Sequence, residues 1–213
     1  MFKTKAPTEI LHDLQVQLVN YPDLLVHKES ENVIISGKLP VRGSIFEVKV
    51  VLDKNFPISF PKIYETAKRI PIKPWCHMYL DGSCCLCVEF EQRKYFPIGA
   101  PISDYFEKLV IPFLENRLHF EITGRYIKER KHNLAGIIDA YGEAFGTKDG
   151  GTIFQMLKVI AEGNLKGHHL CECGSGKRRR NCHGPVLWEV AIYVSKQQAL
   201  RDLNKFIEAV KQL

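Results

Sequence analysis

The chain has no run approaching the roughly 20 uncharged apolar residues that a membrane-spanning helix needs. Its start, Met1-Phe2-Lys3-Thr4-Lys5-Ala6-Pro7, lacks the apolar core of a secretion signal. A cytoplasmic location is the resulting expectation. Internal repeats and low-complexity tracts are absent too. With 45% hydrophobic, 25% charged and 10% aromatic residues, the composition is too apolar and too aromatic for a disordered or fibrous chain. An even cysteine count, which a disulfide framework would use, is also missing. The seven cysteines cluster at 76, 84, 85 and 87 and again at 171, 173 and 182. Such clustering without a secretion signal points to metal binding or thiol chemistry.

The length of 213 residues suits one domain with an appendage, or two small ones. The net charge of +6 is not a field over the whole surface, because residues 166–183 carry five positive and one negative charge and leave only +2 elsewhere. General nucleic-acid binding is therefore not expected.

Hydrophobic spacing organises the first half. A helix opens near Pro7 with Ile10, Leu11, Leu14 and Leu18 on one stripe, and Asn20 and Pro22 stop it. Strands are expected over Leu24–His27, Val33–Ser36, Ile45–Leu52 and Lys62–Thr66, with a turn at Pro40–Gly43. In the third run Phe46, Val48, Val50 and Leu52 alternate with Glu47 and Lys49, the signature of a half-buried antiparallel strand. Residues 67–101 show no periodicity, yet Trp75, Tyr79, Leu86, Phe90 and Phe96 supply apolar surface to order them. A long ordered loop of this kind is where a site is sought.

Ser103 is a candidate cap for a helix that Pro112 should kink or end. A helix over Ile127–Phe145 follows, then a linker at Thr147–Gly151 and a short helix over Thr152–Ala161. The last stretch, Leu187–Leu213, is helical in pattern, with Ser195 and Gln198 as an internal capping box that would divide it.

The order helix, meander, ordered loop with cysteine, helices brings particular residues together. Ile45–Leu52 runs into Phe56-Pro57-Ile58-Ser59-Phe60-Pro61-Lys62-Ile63, His77 precedes Gly82-Ser83-Cys84-Cys85-Leu86, and Tyr95-Phe96-Pro97 precedes the next helix. Over about residues 6–146 this resembles the ubiquitin-conjugating enzymes, or UBC family. Their Tyr-Pro-Phe-x-Pro-Pro-x-Val segment, His-Pro-Asn and Gly-x-Ile-Cys-Leu motifs, and Trp-Ser-Pro fall in the same order. The resemblance implies an α+β fold, a UBC-like four-stranded antiparallel meander flanked by helices, in residues 1–146.

It also implies that Cys85 is the nucleophile of a transferase. A thiolate attacks an acyl group readily, and an amine can later take the acyl group from the thioester. Three thiols within four residues leave Cys84 and Cys87 as alternatives. His77-Met78-Tyr79 replaces His-Pro-Asn, so the amide that would stabilise an oxyanion is missing. Tyr79, Ser83 or a backbone N–H is the substitute donor. Asp81 is expected either to orient or deprotonate an incoming lysine or to serve as a turn residue beside Gly82. His77 is expected in a structural role more than in direct catalysis. The plainer readings of this cluster are inert buried thiols, or a metal site of Cys76, His77, Cys84 and Cys87.

The second cluster is Cys171-Glu172-Cys173-Gly174-Ser175-Gly176-Lys177 followed by Arg178-Arg179-Arg180-Asn181-Cys182-His183. Three thiolates and one imidazole, at Cys171, Cys173, Cys182 and His183, complete a closed tetrahedral shell of the structural zinc type. The segment resembles the SEC-C motif found at the ends of several bacterial proteins. Residues 147–213 are thus expected to form a small zinc knuckle with flanking helices. Its Lys177–Arg180 run is expected as a solvated face or as a docking surface for an acidic partner.

The combination of the two motifs resembles standalone conjugating-enzyme-like proteins of cyclic-oligonucleotide antiphage signalling (CBASS) operons. The partners this implies are a ubiquitin-like protein or a nucleotide cyclase with a conjugatable C-terminus, with or without an activating enzyme, and an acceptor lysine. A non-catalytic adaptor that docks partners through the fold and knuckle is the other expectation, and binding of nucleic acid through the basic run is a weaker one.

Overall fold

The computed structural model describes residues 7–127, 129, 131 and 133–211. Met1–Ala6, Gln212, Leu213, the side chain of Ile10 and residues 128, 130 and 132 of the helix expected over Ile127–Phe145 lie outside the described residues. In chain order the elements are α1 (Pro7–Gln17), β1 (Leu24–Glu29), β2 (Asn32–Val41), β3 (Ser44–Leu52) and β4 (Lys62–Glu65). Then come α2 (Gln92–Tyr95), α3 (Ile102–Tyr105), α4 (Ile111–Thr123), α5 (Asn133–Phe145), α6 (Gly150–Glu162), α7 (Gly184–Tyr193) and α8 (Lys196–Lys211). The class is α+β, with one antiparallel sheet in the order β1-β2-β3-β4.

β2 is longer than its apolar run suggests and passes through Pro40. The turn is not Pro40–Gly43 but the two-residue loop Arg42-Gly43, both at positive φ (45° and 80°), which joins Val41 to Ser44. Such a loop matches the natural twist of paired strands. Pro40 is tolerated because Val41 and Ser44 form the closing pair, so the nitrogen of Pro40 points away from β3. On that side β1 has already ended, at the Leu24↔Gly37 pair. Gly37 itself is required: a Cβ there would lie 1.9 Å from the Asp23 carbonyl oxygen.

The alternation in β3 appears as expected, with Phe46, Val48, Val50 and Leu52 buried and Ile45 and Glu47 exposed. These side chains meet Leu14 and Leu18 from the N-terminal segment and Tyr105, Phe106 and Leu109 in the first of two cores. Ser103 does not cap α3. Pro101 holds the cap position and Ser103 sits inside the first turn. Pro112 does not end the helix either, because a π-helical turn over Phe106–Val110 intervenes and α4 begins with Pro112 in its first turn. The wider turn shifts the hydrogen-bond ladder, so the missing N–H falls where no intrahelical partner is needed.

The contacts divide the chain into Met1–Cys87 with Tyr95–Lys128, and Val88–Lys94 with Glu129–Leu213. The division therefore falls near residue 128 instead of between 146 and 147. The physical reason is the apolar face of α5: Ala140, Tyr141 and Phe145 are buried in the second core with Ile153, Met156, Leu187, Val190 and Phe206. The terminal helical stretch is divided as expected, and Ser195 Oγ accepts the N–H of Gln198 at 3.1 Å where α8 starts.

Candidate functional site

The long loop is tied down at its start by Glu65, at the end of β4. Its buried carboxylate accepts the backbone N–H groups of Ala67, Arg69 and Ile70 at 2.9, 2.7 and 3.1 Å. Arg69 then lies over the Phe46 ring and pairs with Glu121 of α4 at 2.6 Å. After a short 3-10 turn, Pro74–Cys76, His77 adopts a left-handed conformation (φ 55°, ψ 45°) that reverses the chain. The returning strand is a small hairpin. Met78 bridges Cys84, Tyr79 N–H donates to the Ser83 carbonyl at 2.8 Å, and Gly82 N–H donates to the Tyr79 carbonyl at 2.9 Å. The hairpin is laid beside β4 by the Cys84 N–H to Ile63 carbonyl bond and the Tyr64–Ser83 bridge. Cys85 follows directly, its N–H bonded to the His77 carbonyl at 2.8 Å.

The thiols occupy different environments. Cys76 is buried, with its sulfur 3.9 Å from Nη1 of Arg117. Cys84 faces the first core, and burial pushes its thiol up to about 12, which keeps it protonated at neutral pH. Cys85 is half-buried. Burial raises its thiol as well, but a hydrogen bond from Tyr79 works in the opposite direction by favouring the thiolate. Cys85 Sγ also lies 3.9 Å from the Cys87 carbonyl oxygen, while the half-buried Cys87 packs against the first core.

Asp81, at the hairpin tip, bonds Lys62 Nζ at 2.8 Å, Ser83 Oγ at 2.6 Å and Ser83 N–H at 3.0 Å. The Lys62 hydrogen bond, followed by those from Ser83, brings its carboxyl down to about 2. It is a poor proton acceptor at neutral pH, and its exposed ion pair with Lys62 links the hairpin to β4. The His77 ring stands edge-on to Tyr126 at 5.1 Å, and Tyr126 in turn stacks on Phe120. The His77 backbone carbonyl accepts the N–H of Cys85, which ties the two residues together. The alternative metal site of Cys76, His77, Cys84 and Cys87 is not assembled. Among the described residues, the only close group of three or more such donors is elsewhere.

That group is Cys171, Cys173, Cys182 and His183, whose donor atoms all lie within 4.8 Å of one another and could hold a metal ion. Cys171 Sγ and Cys182 Sγ each sit 3.3 Å from His183 Nδ1, and Cys173 Sγ lies 3.5 Å from Cys182 Sγ. A tetrahedral ion with bonds of about 2.0–2.3 Å requires edges of about 3.5–3.8 Å, so a small outward adjustment accommodates one. The ligand hairpin closes through Cys171 N–H to the Lys177 carbonyl at 2.8 Å, with Gly174 and Gly176 at the positive φ values (72° and 70°) that the tight return needs. Ser175 adds a hydroxyl 3.5 Å from Cys182 Sγ, and its hydrogen bonds to Cys173 bring that thiol down to about 6. A donor set with a thiolate available at neutral pH fits a thiophilic cation.

The basic run is not uniform. Lys177, Arg178 and Arg180 are exposed, but Arg179 is 4% exposed and belongs to the interior. Its guanidinium pairs with Glu172, the one acid in the segment, and donates to the carbonyls of Asn164 and Lys166. The expectation of a four-residue solvated or docking face is corrected to three residues around a buried anchor. Glu172, Arg179, Lys62, Glu65 and Ser175 were not singled out as positioning residues by spacing. A lone acid among five cations was the one available signal for the Glu172–Arg179 pair.

Comparison of the chain with protein-family models, with curated proteins and with solved structures finds no match. The chemistry of the two clusters therefore carries the functional reading.

Proposed function

We propose that this protein is a ubiquitin-conjugating-like acyltransferase acting through Cys85, with Cys171, Cys173, Cys182 and His183 holding a structural zinc. The observation that carries the reading is the division among neighbouring thiols. Cys84 is buried and held protonated, whereas Cys85 is half-buried at the end of a clamped hairpin, with the Tyr79 hydroxyl donating to its sulfur. The order helix, four-stranded meander, loop hairpin, helices supports the UBC resemblance.

In the reaction, the Cys85 thiolate attacks the activated C-terminal carbonyl of a ubiquitin-like protein or nucleotide cyclase. The leaving group departs with its electron pair and a C–S bond forms. A lysine amine then attacks, the amide C–N bond forms, its proton goes to water or a base, and the thiolate leaves. Tyr79 is the donor positioned to stabilise first the thiolate and then the oxyanion. Asp81 holds the hairpin and contributes negative charge near an incoming ammonium, and His77 fixes the backbone of Cys85. Cys171, Cys173, Cys182 and His183 would hold the zinc with four protein ligands, and the ion would supply folding energy to the segment instead of reaction chemistry. Antiphage signalling is the setting that the resemblance to CBASS proteins implies for such an enzyme.

A second reading, a non-catalytic adaptor, is favoured by one observation: the net effect on Cys85 is a raised thiol, and Asp81 is a poor base. One experiment separates them. The protein is incubated with the C-terminal thioester of a candidate modifier, and reductant-sensitive adducts are sought. The enzyme forms one that Cys85→Ser abolishes and Cys84→Ser retains. An adduct that survives Cys85→Ser assigns the wrong sulfur, and no adduct with any tail favours the adaptor.

A further inference from the structure

Only two residues separate Cys85 from a segment whose packing belongs to a different core. Val88–Lys94 is grouped with the second unit, although the chain before it and after it belongs to the first. Within the second unit this segment is held firmly. Phe90 is 1% exposed, and its ring stacks on Tyr141 with centroids 3.7 Å apart and planes within 9°. Tyr141 is buried, stacks in turn on Phe145, and donates its hydroxyl to the buried Asp202 at 3.0 Å. Glu89, beside Phe90, pairs with Arg201 and Lys205 of α8, and Lys205 also bonds Asp202 at 2.9 Å. The same core contains the metal-donor residue Cys171, with Cys173 and Cys182 packed against it.

We propose that Phe90 is a positioning residue for Cys85: its seat on Tyr141 fixes the downstream end of the nucleophile's loop, so the state of the metal-bearing core is transmitted along the chain to the thiol. This rests on the reading of Cys85 as the nucleophile. The upstream end of the loop is fixed by the Cys85 N–H to His77 carbonyl bond and by the Asp81–Lys62 clamp. The downstream end has its nearest deeply buried side chain at Phe90, since Leu86, Cys87 and Val88 are each half-buried and Glu89 is exposed. A seat of this kind opens locally when its packing is removed, and a half-buried thiol five residues earlier in the chain then gains access to water. The coupling device is a tether, so it needs no substrate to be seen.

The test uses the full chain and measures iodoacetamide alkylation of Cys85 by peptide mass mapping across pH, with zinc content and melting recorded in parallel. Phe90→Ala is expected to alkylate Cys85 roughly tenfold faster than wild type, with its pH profile moved to lower pH, and to form the modifier thioester more slowly. Phe90→Tyr, which keeps the stacking ring, is expected to restore wild-type values. Phe90→Leu serves if the alanine variant does not fold, with a smaller change in the same direction. Wild type stripped of metal with a chelator is expected to follow Phe90→Ala. A folded Phe90→Ala or Phe90→Leu with the wild-type alkylation rate and profile overturns the inference. If Phe90→Ala shifts alkylation while wild type forms no thioester with any modifier, the tether stands and the acyltransfer reading fails.

Discussion

Replacing Arg179 by Ala isolates the interaction that the second cluster conceals. The guanidinium side chain is 5% exposed and the Glu172 side chain 12%, so both charges are largely out of water. Nε donates to both carboxylate oxygens of Glu172 at 3.0 Å, and Nη1 donates to the carbonyls of Asn164 and Lys166. Removing the cation leaves a buried carboxylate and two carbonyls without it. Breaking such a pair from one side costs about 3–5 kcal/mol, and the partial exposure of Glu172 places the value near the lower end, about 3 kcal/mol. For a unit of this size each kcal/mol moves the melting midpoint by about 4–8 °C, so a drop of about 12 °C or more is expected. Zinc loss to a competing chelator should accelerate in parallel, because Glu172 lies between two ligands. Arg178→Ala and Arg180→Ala, both at exposed positions, should stay within about 0.5 kcal/mol of wild type. Replacing both partners, as in Glu172→Leu with Arg179→Met, should recover much of the loss, since an apolar pair leaves no orphaned charge. Calorimetry on the zinc-loaded proteins decides the matter. If Arg179→Ala melts with Arg178→Ala, or if the double variant is worse than the single, the buried pair does not hold the knuckle.

Two further outcomes follow from the hairpin. Tyr79→Phe removes the hydroxyl that favours the Cys85 thiolate, so the pH profile of Cys85 alkylation should move upward; an unchanged profile would show that the hydroxyl does not act on the sulfur. The Asp81 clamp has a folded value of about 2 against an ordinary value of about 3.9, so its contribution is complete above the ordinary value and is lost as pH falls through the folded one. Wild type should therefore lose stability relative to Asp81→Asn between about pH 4 and pH 2, the window set by those two values, while near neutral pH wild type is the more stable; parallel acid-unfolding curves would remove the clamp from the account.

Residues close in sequence and regular in spacing were legible directly. The period-2 alternation of Phe46, Val48, Val50 and Leu52 dictates which face of β3 is buried, because a strand turns its side chains over at every residue. The grouping of Cys171, Cys173, Cys182 and His183, which could hold a metal ion, was legible for a similar reason: a short hairpin brings together side chains only twelve residues apart at most, whatever surrounds it. The division of the terminal helices at Ser195 was written in a local capping pattern.

Tertiary structure alone decided the rest. Three cysteines at 84, 85 and 87 are chemically alike in the sequence, and only burial against the sheet core separates the protonated Cys84 from the half-buried Cys85. Arg179 reads as one of four cations until the fold pairs it with Glu172. Asp81 reads as a turn residue until Lys62, nineteen positions away, closes on it. The departure of Val88–Lys94 into the second core has no local signal at all, because the partner of Phe90 is Tyr141, and a stacking distance depends on where two rings arrive in space. Local spacing determines which face a side chain takes and which donors a short loop can gather. Desolvation and long-range pairing depend on what the rest of the chain brings to that face, and those set the charge, reactivity and anchoring of each group.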